Sequence, residues 1–208
     1  DETKRPEKRY RILPMKKDGR NTEKKIAWPT FYLGLSRLYP LGESTNVNKA
    51  KLHNVLTEND LQFIFKTYQD ILNSEDSYTD VTSFILSEIK KKKAIGLNTN
   101  YYDYLSNSAG QDNLGQILIA VLSFKKIKEN NPKEWNGGLL LIDEIDATLH
   151  PAAQNKLFDF LYKQSKQIGI QIVFTTHSLS LLEHIQVKCS YNAANQQNSI
   201  ELCYLTTA

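Results

Sequence analysis

Two adjacent carboxylates, Asp143 and Glu144, follow the apolar run Leu139-Leu140-Leu141-Ile142. A buried strand ending in two acids presents them at the crevice beyond its C-terminal edge, where open α/β sheets bind ligands. One carboxylate there can hold Mg2+ beside phosphate groups, and the second can polarise an attacking water. The same hexapeptide also fits a buried strand that simply enters an acidic turn. Two further groups flank it along the chain. Ser108-Ala109-Gly110-Gln111 opens an apolar-periodic segment. A serine hydroxyl, a glycine and a helix N-terminus together suit an anion, through free amides and the helix dipole. A plain serine N-cap would have the same sequence. His177 closes the run Ile172-Val173-Phe174-Thr175-Thr176-His177. A neutral imidazole at a strand end can hydrogen-bond a phosphate and an attacking water, although a lone histidine there also serves as a surface residue.

The elements that must position these groups follow from periodicity. Leu114, Ile117, Leu118, Val121 and Leu122 mark a long amphipathic helix behind Ser108. Leu139–Ile142 and Ile170–Phe174 read as central parallel strands. Between them Pro151 starts a helix with Leu157, Phe158 and Leu161 on its buried face, and Gly169 ends it. Strand, helix, strand in this order implies a right-handed crossover. Ser178 can cap a short helix through Glu183, and Val187–Tyr191 with Ser199–Leu205 suggests a hairpin. Upstream, Phe31–Leu35 reads as a buried strand. Thr57 reads as an N-cap, with Asp60 at the third helical position and an apolar stripe from Leu61 to Leu72. Val81–Ile89 is a weaker segment ending in the Lys90–Lys93 run, which reads as a solvated element end. Arg9–Leu13 could form a short strand and Lys16–Asn21 a turn.

Composition bounds the answer. The 208 residues, 40% hydrophobic and 24% charged, suit one globular domain or a core with a subdomain. The net charge of +3 is too small to announce nucleic acid, but residues 1–25 carry ten Lys/Arg against five Asp/Glu. Two cysteines, Cys189 and Cys203, exclude a disulfide framework and a Cys-rich zinc module, and fit free thiols in the cytoplasm. No apolar run is long enough to span a membrane.

Asp143-Glu144-Ile145-Asp146-Ala147-Thr148-Leu149-His150 resembles the Walker B and D-loop run of the structural-maintenance-of-chromosomes ATPases, a branch of the ATP-binding-cassette (ABC) class of P-loop ATPases. Leu149-His150-Pro151 is closer to the overcoming-lysogenisation-defect family; His150 stands where Asp is common. Ser108-Ala109-Gly110-Gln111 resembles the ABC signature, and Ile172–Ser178 resembles the switch loop. The match covers about residues 105–185, with its motifs in the family's order. It implies an α/β fold: a P-loop NTPase-type parallel sheet with flanking helices, plus a helical subdomain. Asp143 would hold Mg2+, Glu144 would be the general base and His177 the γ-phosphate sensor. Ser108, Gly110 and Gln111 would contact the nucleotide of the opposite subunit, with Asp146 in the D-loop also at the nucleotide. ATP and Mg2+ would be the cofactors, and a head-to-tail dimer the working form.

The pattern Gly-x-x-x-x-Gly-Lys-Ser/Thr, the phosphate-cradling Walker A loop, does not occur in the 208 residues. Together with the absence of an initiator Met, this suggests the C-terminal half or more of an ABC-type domain, inactive by itself. The expected organisation is a basic segment and core strand in 1–50 and a helical subdomain in 51–105. An ATPase core in 106–188 and a C-terminal hairpin in 189–208 would follow. The expected function is ATP hydrolysis, in a parent protein of DNA repair or phage defence, with DNA or an effector nuclease as partner. The alternative is a non-catalytic nucleic-acid-binding or assembly module, which the basic first 25 residues motivate.

Overall fold

A computed structural model describes residues 28–39, 47–49, 56–86, 93–194 and 199–205. Two sheets share one core. The first is parallel, in the order β1 (Thr30–Leu33), β5 (Gly138–Ile142), β6 (Ile170–Phe174). Its register pairs Leu33 with Ile142 and Ile142 with Phe174, so the three strands end level. The second sheet is antiparallel: β2 (Val47–Lys49), β3 (Tyr78–Leu86) and β4 (Lys93–Thr99).

Among the described residues four α-helices accompany the sheets: α1 (Glu58–Leu72), α2 (Ala109–Asn130), α3 (Pro151–Gln164) and α4 (Leu179–Ala194). Both capping boxes form, Thr57 with Asp60 on α1 and Ser108 with Gln111 on α2. α2 is the central helix. Leu114, Ile117, Leu118, Val121 and Phe124 are buried in the shared core, where α2 packs on β4, β1 and α1. Gly115 lets it close on β4, since a Cβ there would sit 2.8 Å from the Ile95 carbonyl oxygen. At the far end of β5, Gly138 does the same for Phe124, whose ring lies where a Cβ would project. α3 runs into a π turn, Ser165–Gly169, and Gly169 (φ +80°) takes the left-handed conformation that returns the chain to β6.

Two expectations need correction. Among its described residues the segment 51–105, read as a helical subdomain, contributes one α-helix, α1, and then the long strands of an antiparallel sheet. Val81 and Phe84 are buried, and Val81, Thr82 and Phe84 favour a pleated surface over a helix. The C-terminal hairpin does not form. Residues 187–191 continue α4, which runs sixteen residues instead of stopping at Glu183. Leu181, Ile185 and Cys189 pack inward at four-residue steps, and buried Asn192 extends the row, a helical period that outweighs the β-propensity of Val187. Residues 199–205 form neither helix nor strand, with Ile200 and Leu202 against the core. Arg9–Leu13, Lys16–Asn21, Lys90–Lys92 and the whole basic segment 1–25 fall outside the described residues.

Candidate functional site

The level ends of β1, β5 and β6 build one polar edge. Asp143 is the last residue in ladder contact: its N–H donates to the Leu33 carbonyl at 3.0 Å. The chain then leaves the sheet at Glu144, whose φ of +47° is in the left-handed region. That conformation is uncommon for a non-glycine residue and persists only where the surroundings enforce it. They do so from both sides. Thr175, just past β6, accepts the Glu144 N–H on its hydroxyl at 2.8 Å. Arg37, just past β1, donates Nη2–H to the Glu144 carbonyl at 2.8 Å. The Thr175 hydroxyl also donates to Asp143 Oδ1 at 2.7 Å. Both carboxylates therefore sit at the sheet edge on a backbone clamped by neighbouring strands.

The chain from Glu144 to His150 is a double turn. Ala147 N–H donates to the Glu144 carbonyl and Leu149 N–H to the Asp146 carbonyl. Thr148 (φ +64°) is its second left-handed residue. His150 caps α3 by accepting the Ala152 N–H on Nδ1, with Pro151 at the first helical position. This turn is strapped to the loop after β6. The Thr176 hydroxyl donates to Asp146 Oδ1 at 2.5 Å. The Ser178 hydroxyl donates to Gln154 Oε1 at 2.6 Å, and Gln154 Nε2 donates back to the Leu149 carbonyl at 2.8 Å. His177 lies exposed between the two anchored residues Thr176 and Ser178.

The N-terminus of α2 abuts the same turn. The Thr148 hydroxyl reaches the Ala109 carbonyl at 3.4 Å, and a Cβ on Gly110 would meet the Thr148 carbonyl oxygen at 2.8 Å. Gly110 is thus required by close backbone approach. Ser108 is exposed, and its hydroxyl accepts the Gln111 N–H at 3.2 Å. Gln111 is turned inward: Oε1 accepts the Ser108 N–H at 2.8 Å and Nε2 faces the Tyr102 hydroxyl at 3.4 Å. Of the expected site residues, Asp143, Glu144 and Asp146 lie on one turn, bound to the threonines that precede His177. Ser108, Gly110 and Gln111 stand on the helix packed against the end of that turn.

Sequence reasoning missed Arg37, Asn113 and Thr175. Arg37 is 2% exposed, in a 3-10 turn after β1. Burial lowers its guanidinium pKa, while the charges of Asp143, Glu144 and Asp146 pull it back up. Asn113 is fully buried and bridges Arg37 to the Ala147 carbonyl. The available signal was a lone Arg in the apolar, aromatic stretch from Phe31 to Leu38, where a buried charge demands a partner.

The donor set fits Mg2+ at the metal edge of such a site. Among the described residues no group of three or more His, Cys, Asp or Glu side chains could cage a metal. A single carboxylate at a strand end is what Mg2+ takes when waters and phosphate oxygens fill its other positions. The loop that would cradle those phosphates does not occur in the 208 residues. Among the described residues no helix is long and apolar enough to cross a membrane.

The chain is similar to several known proteins. The chain is 26% identical over 168 residues to the DNA replication and repair protein RecF of Streptococcus uberis, covering 75% of this chain and 44% of that protein. It is 32% identical over 93 residues to the Old nuclease of Escherichia phage P2, covering 45% of this chain and 14% of the nuclease. It is 33% identical over 69 residues to the methionine import ATP-binding protein MetN 1 of Oceanobacillus iheyensis, covering 33% and 19%. The chain spans less than half the length of these curated relatives. Residues 38–183 match the family described as "AAA domain, putative AbiEii toxin, Type IV TA system". With its parallel sheet, paired acids at the end of β5 and signature-like helix start, the chain belongs to this AAA-domain family of ABC-type P-loop ATPases.

Proposed function

We propose that this domain supplies the hydrolytic half of an ATP site and the signature of a second one, in a head-to-tail dimer. The observation that carries the reading is the Thr175 clamp, which holds Asp143 and Glu144 side by side at the sheet edge, two residues from His177. Asp143 would hold Mg2+, which supplies charge neutralisation to the phosphates when bound. Glu144 would take the proton of the attacking water. His177, exposed and free to turn toward a phosphate, would sense the terminal group.

The other half of the reading rests on α2. Its N-cap presents the Ser108 side chain at the surface, at a helix N-terminus that suits an anion, while Gly110 keeps the first turn against Thr148. A nucleotide bound by a second subunit would meet Ser108 and Gly110. Gln111 would act by holding the cap, and Asp146 by fixing Thr176. The phosphate loop itself would come from residues outside the 208. Action on DNA, alone or with a nuclease, is the setting favoured by two relatives' names, a DNA replication and repair protein and a nuclease, and the free thiols Cys189 and Cys203 would suit the cytoplasm.

The test is Glu144→Gln in the full-length protein. ATP binding should persist while turnover falls by about 10²-fold or more, the scale for losing a general base. Unchanged turnover would remove Glu144 from the mechanism.

A further inference from the structure

Three elements meet on buried Arg37: the end of β1, the 144–149 turn and α2. Its Nη1 donates to the Leu33 and Gly34 carbonyls at 3.2 and 3.1 Å, its Nη2 to Glu144 O at 2.8 Å and its Nε to Asn113 Oδ1 at 2.8 Å. Its own carbonyl accepts Gln116 Nε2–H of α2 at 3.0 Å. Asn113 passes the link on, donating Nδ2–H to the Ala147 carbonyl at 2.9 Å. The end of β1, the left-handed residue Glu144, the middle of the 144–149 turn and the signature helix are therefore tied through one buried guanidinium. A planar fork with five donors can serve this many acceptors, whereas an ammonium of three donors on a flexible stem cannot reproduce the directions.

We infer that Arg37 is a positioning residue that couples the α2 signature helix to the orientation of Glu144, so that displacement of α2 is felt at the general base. The inference rests on the proposed ATPase reading. The route is short and made of directional bonds. A shift of α2 moves Asn113, which bonds both Arg37 Nε and the Ala147 carbonyl. Arg37 in turn carries the Glu144 carbonyl, and Ala147 N–H bonds that same carbonyl. Glu144 has no helical or ladder bond of its own to resist such a shift, since its N–H and carbonyl are held by Thr175, Arg37 and Ala147.

The experiment has two arms. In the full-length protein, Arg37→Gln should lower kcat by about 10²-fold, the scale of a small misplacement of a reacting group, with KM for ATP within about threefold of wild type. Arg37→Lys should not restore kcat. Wild-type kcat in either variant overturns the inference. The second arm uses Asn113→Asp in the 208-residue chain and also serves if Arg37→Gln fails to fold. An Asp at 113 still accepts from Arg37 Nε but cannot donate to the Ala147 carbonyl. Hydrogen exchange at the Ala147 and Leu149 amides should then accelerate by about tenfold or more, while α3 and α4 keep their protection. Unchanged exchange overturns the coupling. If Glu144→Gln leaves turnover intact, the ATPase reading fails, and the exchange arm still decides whether the linkage exists.

Discussion

The Thr175 hydroxyl donates to Asp143 Oδ1 at 2.7 Å and accepts the Glu144 N–H at 2.8 Å, so one exposed side chain on β6's exit loop orients both acids of β5. Thr175→Val keeps the shape and removes both bonds. Because the residue is exposed, the expected stability loss is below about 1 kcal/mol. Loss of an outer-sphere partner of a metal-binding carboxylate should lower Mg2+ affinity or turnover by about 10–100-fold. Thr175→Ser should retain wild-type behaviour. Metal titration of the full-length protein with ATP present checks this, and equal Mg2+ dependence and turnover in Val and Thr forms would show that the clamp is dispensable.

Ser108 separates a cap from a signature. As a cap alone, Ser108→Ala costs about 1 kcal/mol of stability and leaves catalysis intact. As a trans-acting residue, Ser108→Arg should abolish hydrolysis and block its own homodimer, in which both composite sites are mutated, while the full-length protein still binds ATP. Mixed dimers of Ser108→Arg with Glu144→Gln subunits sharpen the test. In a head-to-tail dimer one composite site unites the wild-type Glu144 of the first subunit with the wild-type Ser108 of the second. That site should recover activity neither homodimer has. Mixed dimers that stay dead would mean that both residues serve one nucleotide within a subunit.

Gly110 is fixed by contact with Thr148. Adding a Cβ 2.8 Å from a backbone carbonyl forces α2 and the turn apart. Gly110→Ala should therefore destabilise the chain by about 1–3 kcal/mol, the range for overpacking, despite alanine's better helix propensity. Denaturant melts of the 208-residue chain measure it; a stabilised variant would show that the helix start has room to move.

The cap of α1 carries a pH dependence. Burial alone would raise the Asp60 carboxyl. The Lys126 ammonium 2.6 Å away, with the Thr57 N–H and hydroxyl, outweighs it and holds the carboxyl below its usual range. A depressed carboxyl stabilises the fold fully above its unfolded value of about 3.9 and loses that contribution as pH falls through the folded value. Asp60→Asn should cost about 1–3 kcal/mol at pH 7, and the gap to wild type should shrink below about pH 4. Urea melts at both pH values read it directly. A gap that stays constant on acidification contradicts the assignment.

The 208-residue chain itself should bind MgATP weakly and not hydrolyse it, because most phosphate contacts in P-loop enzymes come from the loop that this sequence does not contain. Calorimetry with purified chain is the check. Micromolar affinity would place the nucleotide on residues other than those proposed.

Local chemistry alone determined several features of this protein. The run Leu139–Ile142 had to be a central strand because no polar residue interrupts it, and so Asp143 and Glu144 had to fall at its end. Thr57 with Asp60 and Ser108 with Gln111 formed their capping boxes because those contacts span three residues and need no partner element. Long-range contacts decided the rest. Val81–Leu86 and Val187–Tyr191 carry similar β-branched and aromatic residues, yet the first is a strand and the second helical. Pairing with Lys93–Thr99 fixes the first, and the Leu181–Ile185–Cys189 row against the core fixes the second. Arg37 was invisible as a site residue for the same reason. Its partners are seventy-six and one hundred and seven residues away in the chain, and only the folded β1–β5–α2 junction gives a buried guanidinium the acceptors that make it stable there.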